Sequence, residues 1–207
     1  MHVAGVVLCG GQSSRMGQSK AWLPFGTETM LQRTVRTLSQ VVEPVIVVAA
    51  PCQELPELLS CEVVFDPQEH RGPLQGLAVG LTSLRGRADA AFVSACDTPF
   101  LQADWVRFLL KQLQGFEIVV PKIEGHFHPL SAVYRTSLAD TAESLLRNEK
   151  YRLMDLIEGV HTRVLYKSDF ESWNGDFSSL RNLNSWAEYQ AALAEFENLT
   201  FTKRSDS

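Results

Sequence analysis

The 207-residue chain holds no run of about eighteen apolar residues, so its sequence predicts no membrane-spanning helix. Its start, MHVAGVVLCGG, has no basic leader and no long apolar stretch, and does not read as a secretory signal. Cysteine is scarce: Cys9, Cys52, Cys61 and Cys96 include no CxxC pair, which argues against a zinc site. They read as reduced, mostly buried thiols of a cytoplasmic protein. Thirteen glycines and nine prolines are too few for a collagen-like or low-complexity chain. Positive charge is not in excess either, with 19 Lys and Arg against 24 Asp and Glu and a formal charge of −5. That balance argues against a protein whose main work is gripping nucleic acid or an anionic membrane. A local basic site can still exist inside an acidic protein.

What is present suits one ordinary globular core: 45% hydrophobic and 21% charged residues. Residues 1–196 are expected to form a single domain, and residues 197–207 a frayed tail. No internal repeat and no linker divides the chain. Apolar β-rich runs fall at Val3–Cys9, Val45–Ala50, Glu62–Phe65, Asp89–Ala95 and Phe116–Pro121. Two further strand candidates are His128–Tyr134 and Val160–Tyr166. Between them lie helical patterns: Met30, Leu31, Val35 and Leu38 near 3.6 spacing; Leu74–Leu84; Trp105, Phe108, Leu109 and Leu113; Ser137–Leu146; and Leu153–Ile157. A capping-box pair, Ser185 and Glu188, opens a last helix whose stripe is Trp186, Tyr189, Leu193 and Phe196. Trp105 and Trp186 are read as core residues. Such alternation predicts a three-layer α/β/α fold with a mostly parallel central sheet.

In that architecture ligands bind beyond the carboxyl ends of the strands. The loop LCGGQSSRMGQSK, Leu8–Lys20, follows the first strand. Gly10 and Gly11 can turn sharply and aim N–H groups at an anion, and Arg15 and Lys20 add two positive charges. Lys20 lies between Ser19 and Ala21, so this is not a Walker A loop. Nor do Gly10, Gly11 and Gly17 fit the GxGxxG dinucleotide fingerprint. Asp97, in SACDTPFL after the fourth strand, can hold Mg²⁺ against phosphate oxygens or merely cap the following helix. Asp66 is similarly placed, just before GPLQGL (Gly72–Leu77), whose glycines either admit a ligand or form a turn. His126 and His128 make an HxH pair without an evident third ligand, and His128-Pro129-Leu130 could instead lie at a site mouth. Lys150 and Arg152 meet an anionic second substrate or simply start a helix. Asn182 and Asn184, in RNLN, are turn-formers or substrate contacts.

Together LCGGQSSRMGQSK, Asp66 with GPLQGL, CDTPFL, HPL and NLN resemble the molybdenum cofactor guanylyltransferases, molybdopterin nucleotidyltransferases of a glycosyltransferase-A-like, nucleotide-diphospho-sugar-transferase fold. The resemblance runs from about Val3 to about Leu193. It implies transfer of GMP from GTP to the terminal phosphate of molybdopterin, with pyrophosphate released. It further implies nucleotide contacts from Leu8, Cys9, Gly10, Gly11, Lys20, Asp66 and Asp97, with Mg²⁺ on Asp97. Arg15 and Lys20 would stabilise charge on the phosphates. His128, Arg152, Asn182 and Asn184 would serve the acceptor. The implied partners are GTP, molybdopterin and a molybdoenzyme apoprotein or its chaperone, with no nucleic acid and no membrane. Three departures stand out: Cys9 where Ala is common, Ser19 where an acidic residue is frequent, and Val48-Ala49-Ala50 where relatives can carry a nucleotide-contacting Asn. Two other readings of the same loops are a CTP-dependent or sugar-phosphate nucleotidyltransferase and a non-catalytic nucleotide-binding protein.

Overall fold

The computed structural model describes residues 1–10, 19–68, 71–173 and 175–205, with side chains as far as Leu199. In chain order, β1 (Val3–Leu8) leads to a small hairpin, β2 (Pro24–Phe25) and β3 (Glu28–Thr29), and to α1 (Met30–Ser39). Then come β4 (Val45–Ala49), β5 (Glu62–Phe65), α2 (Gly72–Ser83), β6 (Ala90–Ala95) and α3 (Ala103–Lys111). The second half contributes β7 (Ile118–Ile123), β8 (His126–Phe127), β9 (Ser131–Arg135), α4 (Ala139–Arg147), α5 (Leu153–Gly159), β10 (Thr162–Leu165) and α6 (Trp186–Ser205). The main sheet runs β10-β7-β9-β6-β1-β4-β5, with β8 on the side of β7. Pairing is parallel between β1 and β4, β1 and β6, β4 and β5, and β7 and β10. Against that direction run β9, which lies between β6 and β7, and the short β8.

Alternation along the buried strands divides the core in two. Val6, Ile46 and Val93 face α2, α4 and α5, meeting Leu74, Leu77 and Leu81. On the other face Val7, Val47 and Phe92 meet Leu31, Val35 and Leu38 of α1 and Trp105 and Leu109 of α3. Trp105 is fully buried; its indole N–H donates to Ser131 Oγ at 2.8 Å, and its ring stacks on Phe170 at 5.2 Å. A smaller cluster of Leu23, Phe25, Met30, Leu183, Tyr189 and Ala192 seats α6 on the hairpin. There the Tyr189 hydroxyl donates to the Pro24 carbonyl at 2.6 Å.

The three-layer arrangement matches the sequence expectation, with local differences. The β2–β3 hairpin is not among the expected strands, and α6 is helical to Ser205 where a frayed tail is expected from residue 197. Two others have a clear cause. The expected strand His128–Tyr134 is divided between β8 and β9. Glu124 and Gly125 both take left-handed φ, 52° and 84°, as a two-residue hairpin turn requires, so the return strand starts at His126. Pro129 lacks the N–H needed to continue the ladder, and regular pairing resumes at Ser131. Trp186, expected in the core, is instead 46% exposed; Tyr189 and Ala192 provide the buried contact of α6. The capping box is present, with Glu188 N–H donating to Ser185 Oγ and Ser185 N–H to the Glu188 carboxylate.

Helix α2 lies close over β1 because it presents glycine there. A Cβ at Gly80 would sit 2.7 Å from Val6 Cγ1, and one at Gly76 would sit 3.3 Å from Leu8 Cδ2. Val6 is a rigid, buried, β-branched residue of the central strand, so it cannot give way. Replacing Gly80 by Val is therefore expected to lower stability by about 1–3 kcal/mol, the usual range for overpacking, as measured by urea unfolding.

Candidate functional site

The carboxyl ends of β5, β4, β1 and β6 open side by side into a cleft of about 780 Å³. Backbone bonds carry the sheet register past the strand ends: Cys9 N–H donates to Val48 O, Asp66 N–H to Ala49 O, and Cys96 N–H to Leu8 O. The first residue after each of β1, β5 and β6 thus continues the sheet's hydrogen bonding. Leu8, Cys9, Gly10, Lys20, Asp66, Asp97, Asn182 and Asn184 all line this cleft, although the chain order separates the first from the last by more than most of the sequence.

At its centre Lys20 Nζ lies 2.5 Å from Asp97 Oδ2 and donates to Asn184 Oδ1 at 3.0 Å. The other carboxylate oxygen of Asp97 accepts from Asn182 Nδ2 at 3.2 Å. Asp97 also accepts at its backbone carbonyl from Leu183 N–H, which fixes the segment before α6 against the end of β6. Behind it, Thr98 Oγ1 lies 2.9 Å from Ser94 Oγ and donates to Ala95 O, so the CDTPF turn is braced from within. The Asp97 side chain is only 9% exposed and serves Lys20 and Asn182. It does not cap α3, whose first turn has no side-chain cap. Asn184 is itself oriented by its backbone N–H, which donates to Glu188 at 2.6 Å. That bond, the bonds from Ser185 and the nearby charge of Lys20 hold the Glu188 carboxyl below its ordinary range.

The wall beyond β4 and β5 is of a different kind. Val48, Ala49 and Ala50 line it with small apolar groups. Asp66 accepts from Gln68 N–H at 2.9 Å; burial raises its carboxyl, an effect only partly opposed by that bond and by Arg71. Arg71, missed in the sequence reading, enters the cleft at the start of α2 and lies 5.7 Å from the Tyr151 ring centre. The glycines of GPLQGL lie at the cleft. Gly72 makes a turn at φ 72°, and Gly76 lines the cleft. Cys9 and Cys96 directly follow the adjacent strands β1 and β6 and both line the cleft; the hydrogen bond between their thiols, then burial, pushes the Cys96 thiol up.

Not every candidate residue joins this cleft. Gly11, Arg15 and Gly17 lie outside the described residues. His128 does not line the cleft, whereas Leu130 of the same HPL segment does. Burial, helped by His126, lowers the His128 imidazole. Arg152 lies at the start of α5 and is likewise not among the lining residues. Among the described residues no three His, Cys, Asp or Glu side chains gather into a metal-binding group, and no helix is long and apolar enough to cross a membrane.

The raised carboxyl of Asp66 has a consequence for stability. Once pH exceeds the ordinary Asp range, the unfolded chain releases this proton more readily than the folded one, so ionisation of Asp66 disfavours the fold. Asp66→Asn keeps an acceptor for Gln68 N–H and is expected to be slightly more stable than the parent at pH 7. The difference should vanish as pH falls below the ordinary Asp pKa of about 3.9. Urea unfolding at a series of pH values tests this.

Residues 5–164 match the family described as "MobA-like NTP transferase domain". A protein called "probable molybdenum cofactor guanylyltransferase" from Pelotomaculum thermopropionicum is 36% identical over 199 residues, covering 96% of this chain and 95% of its own. One of the same name from Mycobacterium tuberculosis is also 36% identical over 199 residues, covering 92% and 93%. Among solved structures, molybdopterin-guanine dinucleotide biosynthesis protein A from Archaeoglobus fulgidus superposes with a TM-score of 0.75 at 20% identity, over 96% of this chain and all of that one. With the family pattern matched over 160 residues and relatives similar along nearly its entire length, the chain belongs to the MobA-like NTP transferase family.

Proposed function

We propose that this chain transfers GMP from GTP to the terminal phosphate of molybdopterin, releasing pyrophosphate and forming the guanine dinucleotide. The observation that carries the reading is the convergence of Lys20, Asp97, Asn182 and Asn184 at the ends of adjacent parallel strands. Relatives at 36% identity that bear the guanylyltransferase name supply the nucleotide and the acceptor.

The chemistry follows from the groups present. An acceptor phosphate oxygen, already anionic, attacks the α-phosphorus of GTP in line, and the bond to pyrophosphate breaks. Such a nucleophile requires no general base. The chain's task is positioning and charge stabilisation. Glycine N–H groups at the end of β1 face the phosphates, and Arg15 adds a cation. Lys20 exchanges its bond to Asp97 for phosphate oxygens as nucleotide enters. Asn182 and Asn184, drawn to the same point, orient the acceptor side, while His128 and Arg152 lie outside the cleft lining. Asp66 contacts the nucleotide from the β5 side. Asp97 suits Mg²⁺: it offers a hard carboxylate oxygen, and this ion commonly takes one or two protein carboxylates and completes its shell with phosphates and water. Bound there, Mg²⁺ would neutralise charge on the phosphates. The product then passes to a molybdoenzyme apoprotein or its chaperone in the cytoplasm.

Thermal unfolding with GTP, CTP, ATP and UTP, each with and without Mg²⁺, tests the nucleotide. Ligand at 100 times its Kd is expected to add about 2.7 kcal/mol, and the expected result is a Mg²⁺-dependent shift with GTP alone. A shift with CTP would turn the reading to a cytidylyltransferase, and no shift with any nucleotide would sink it. In a pyrophosphate-release assay with GTP and molybdopterin, Lys20→Ala and Asp97→Ala should each lose about 10²–10³ in rate. Near-parental turnover of either variant would remove that residue from the mechanism.

A further inference from the structure

The loop after β4 does more than join two strands. Ala50, Pro51, Cys52 and Gln53 form a tight turn, with Gln53 N–H donating to Ala50 O at 3.1 Å and Cys52 in the left-handed region at φ 58°. The turn aims the Gln53 side chain back toward β1. Its Oε1 accepts from Ala50 N–H at 2.9 Å. Its Nε2 donates to the Cys9 carbonyl at 3.1 Å, touches Cys9 Sγ at 3.7 Å, and reaches Ser19 Oγ at 3.4 Å. The assignment of the amide is forced: turned over, it would set a donor against a backbone N–H and an acceptor against a carbonyl. Gln53 thus grips residues on both sides of positions 10–18, and Ser19 directly precedes Lys20. Neighbouring bonds strengthen this attachment. Trp22 Nε1 donates to Glu54 O at 3.0 Å, and Gln32 Nε2 to Glu57 O at 2.9 Å. Gln53 does not itself line the cleft, whereas Ala50 and Pro51 do.

We propose that Gln53 is a positioning residue for nucleotide binding, holding the Cys9–Gly10 backbone and the Ser19–Lys20 segment at the separation at which both can meet one triphosphate. The inference rests on the nucleotide reading above and adds to it a residue that touches no substrate. An electrostatic site is effective only when its donors are already aimed, and aiming them at each binding event would cost affinity.

Two variants separate this role from simple support of the turn. Gln53→Ala removes every side-chain bond. Gln53→Glu keeps the acceptor for Ala50 N–H and loses the donations to Cys9 and Ser19. Both should weaken binding of Mg·GTP about tenfold, as expected from the donations to Cys9 and Ser19 that both variants lose, by calorimetric titration. The melting temperature without nucleotide should stay within about 4 °C of the parent. In both variants, hydrogen exchange at the amides of Cys9, Trp22 and Leu23 should quicken with no nucleotide present. If Gln53→Glu bound Mg·GTP like the parent, or exchange at those amides were unchanged, the inference would be overturned. A parent chain that fails to bind GTP would defeat the proposed function, while the exchange measurement would still decide whether Gln53 braces the segment.

Discussion

Strand β1 must satisfy its hydrogen bonds on both edges and bury both faces, and the geometry of the molecule follows from that demand. Its parallel partners are β4 and β6, in registers that set Leu8 opposite Val48 on one side and Ala95 on the other. Parallel neighbours finish at the same edge of the sheet, so Cys9, Ala50 and Cys96 emerge together and the cleft is formed where the strands end. Covering β1 closely is possible because α2 offers Gly76 and Gly80 to Leu8 and Val6. The same helix begins at Gly72 beside the cleft, so one constraint supplies both the packing of the sheet and one wall of the site.

Within that frame, charge is balanced by groups from remote parts of the chain. Asp97 is nearly buried, and a carboxylate in such a place needs partners. It has Lys20, 77 positions earlier, and Asn182, 85 positions later. Those partners keep the site ordered without nucleotide and identify the groups that entering phosphates and Mg²⁺ would rearrange in the proposed reaction. The segment carrying Asn182 and Asn184 is anchored independently, through Leu183 N–H to Asp97 O and through the cap at Ser185 and Glu188. Helix α6 is in turn fixed to the hairpin by Tyr189, so the end of the chain reaches the site by way of a small separate core.

How far the sequence could be read depended on the kind of signal. Strong β-branched runs such as Val45–Ala49 and the stripe of α1 were legible because burial of one pattern leaves few other solutions. Trp186 fell on the same helical stripe as Tyr189, yet in the first turn of α6 it is half exposed while Tyr189 and Ala192 are buried, and periodicity does not reveal where a neighbour stops. Arg71 and Gln53 had no motif to mark them. Arg71 enters the cleft because Gly72 turns the chain there, and Gln53 matters because a turn returns its amide to Cys9.

By itself the sequence determined the order of elements, the α/β/α class and the identities of Lys20, Asp66 and Asp97 as residues beyond strand ends, since these depend on local pattern and on residue chemistry. Tertiary structure alone decided that Asp97 meets Lys20 and Asn182 while Lys20 also meets Asn184, that Leu130 rather than His128 lines the cleft, and that Gln53 joins Cys9 to Ser19. The reason is physical. A local pattern records which face of an element is apolar, whereas a polar contact across many tens of residues depends on sheet order, register and the path of each connecting loop.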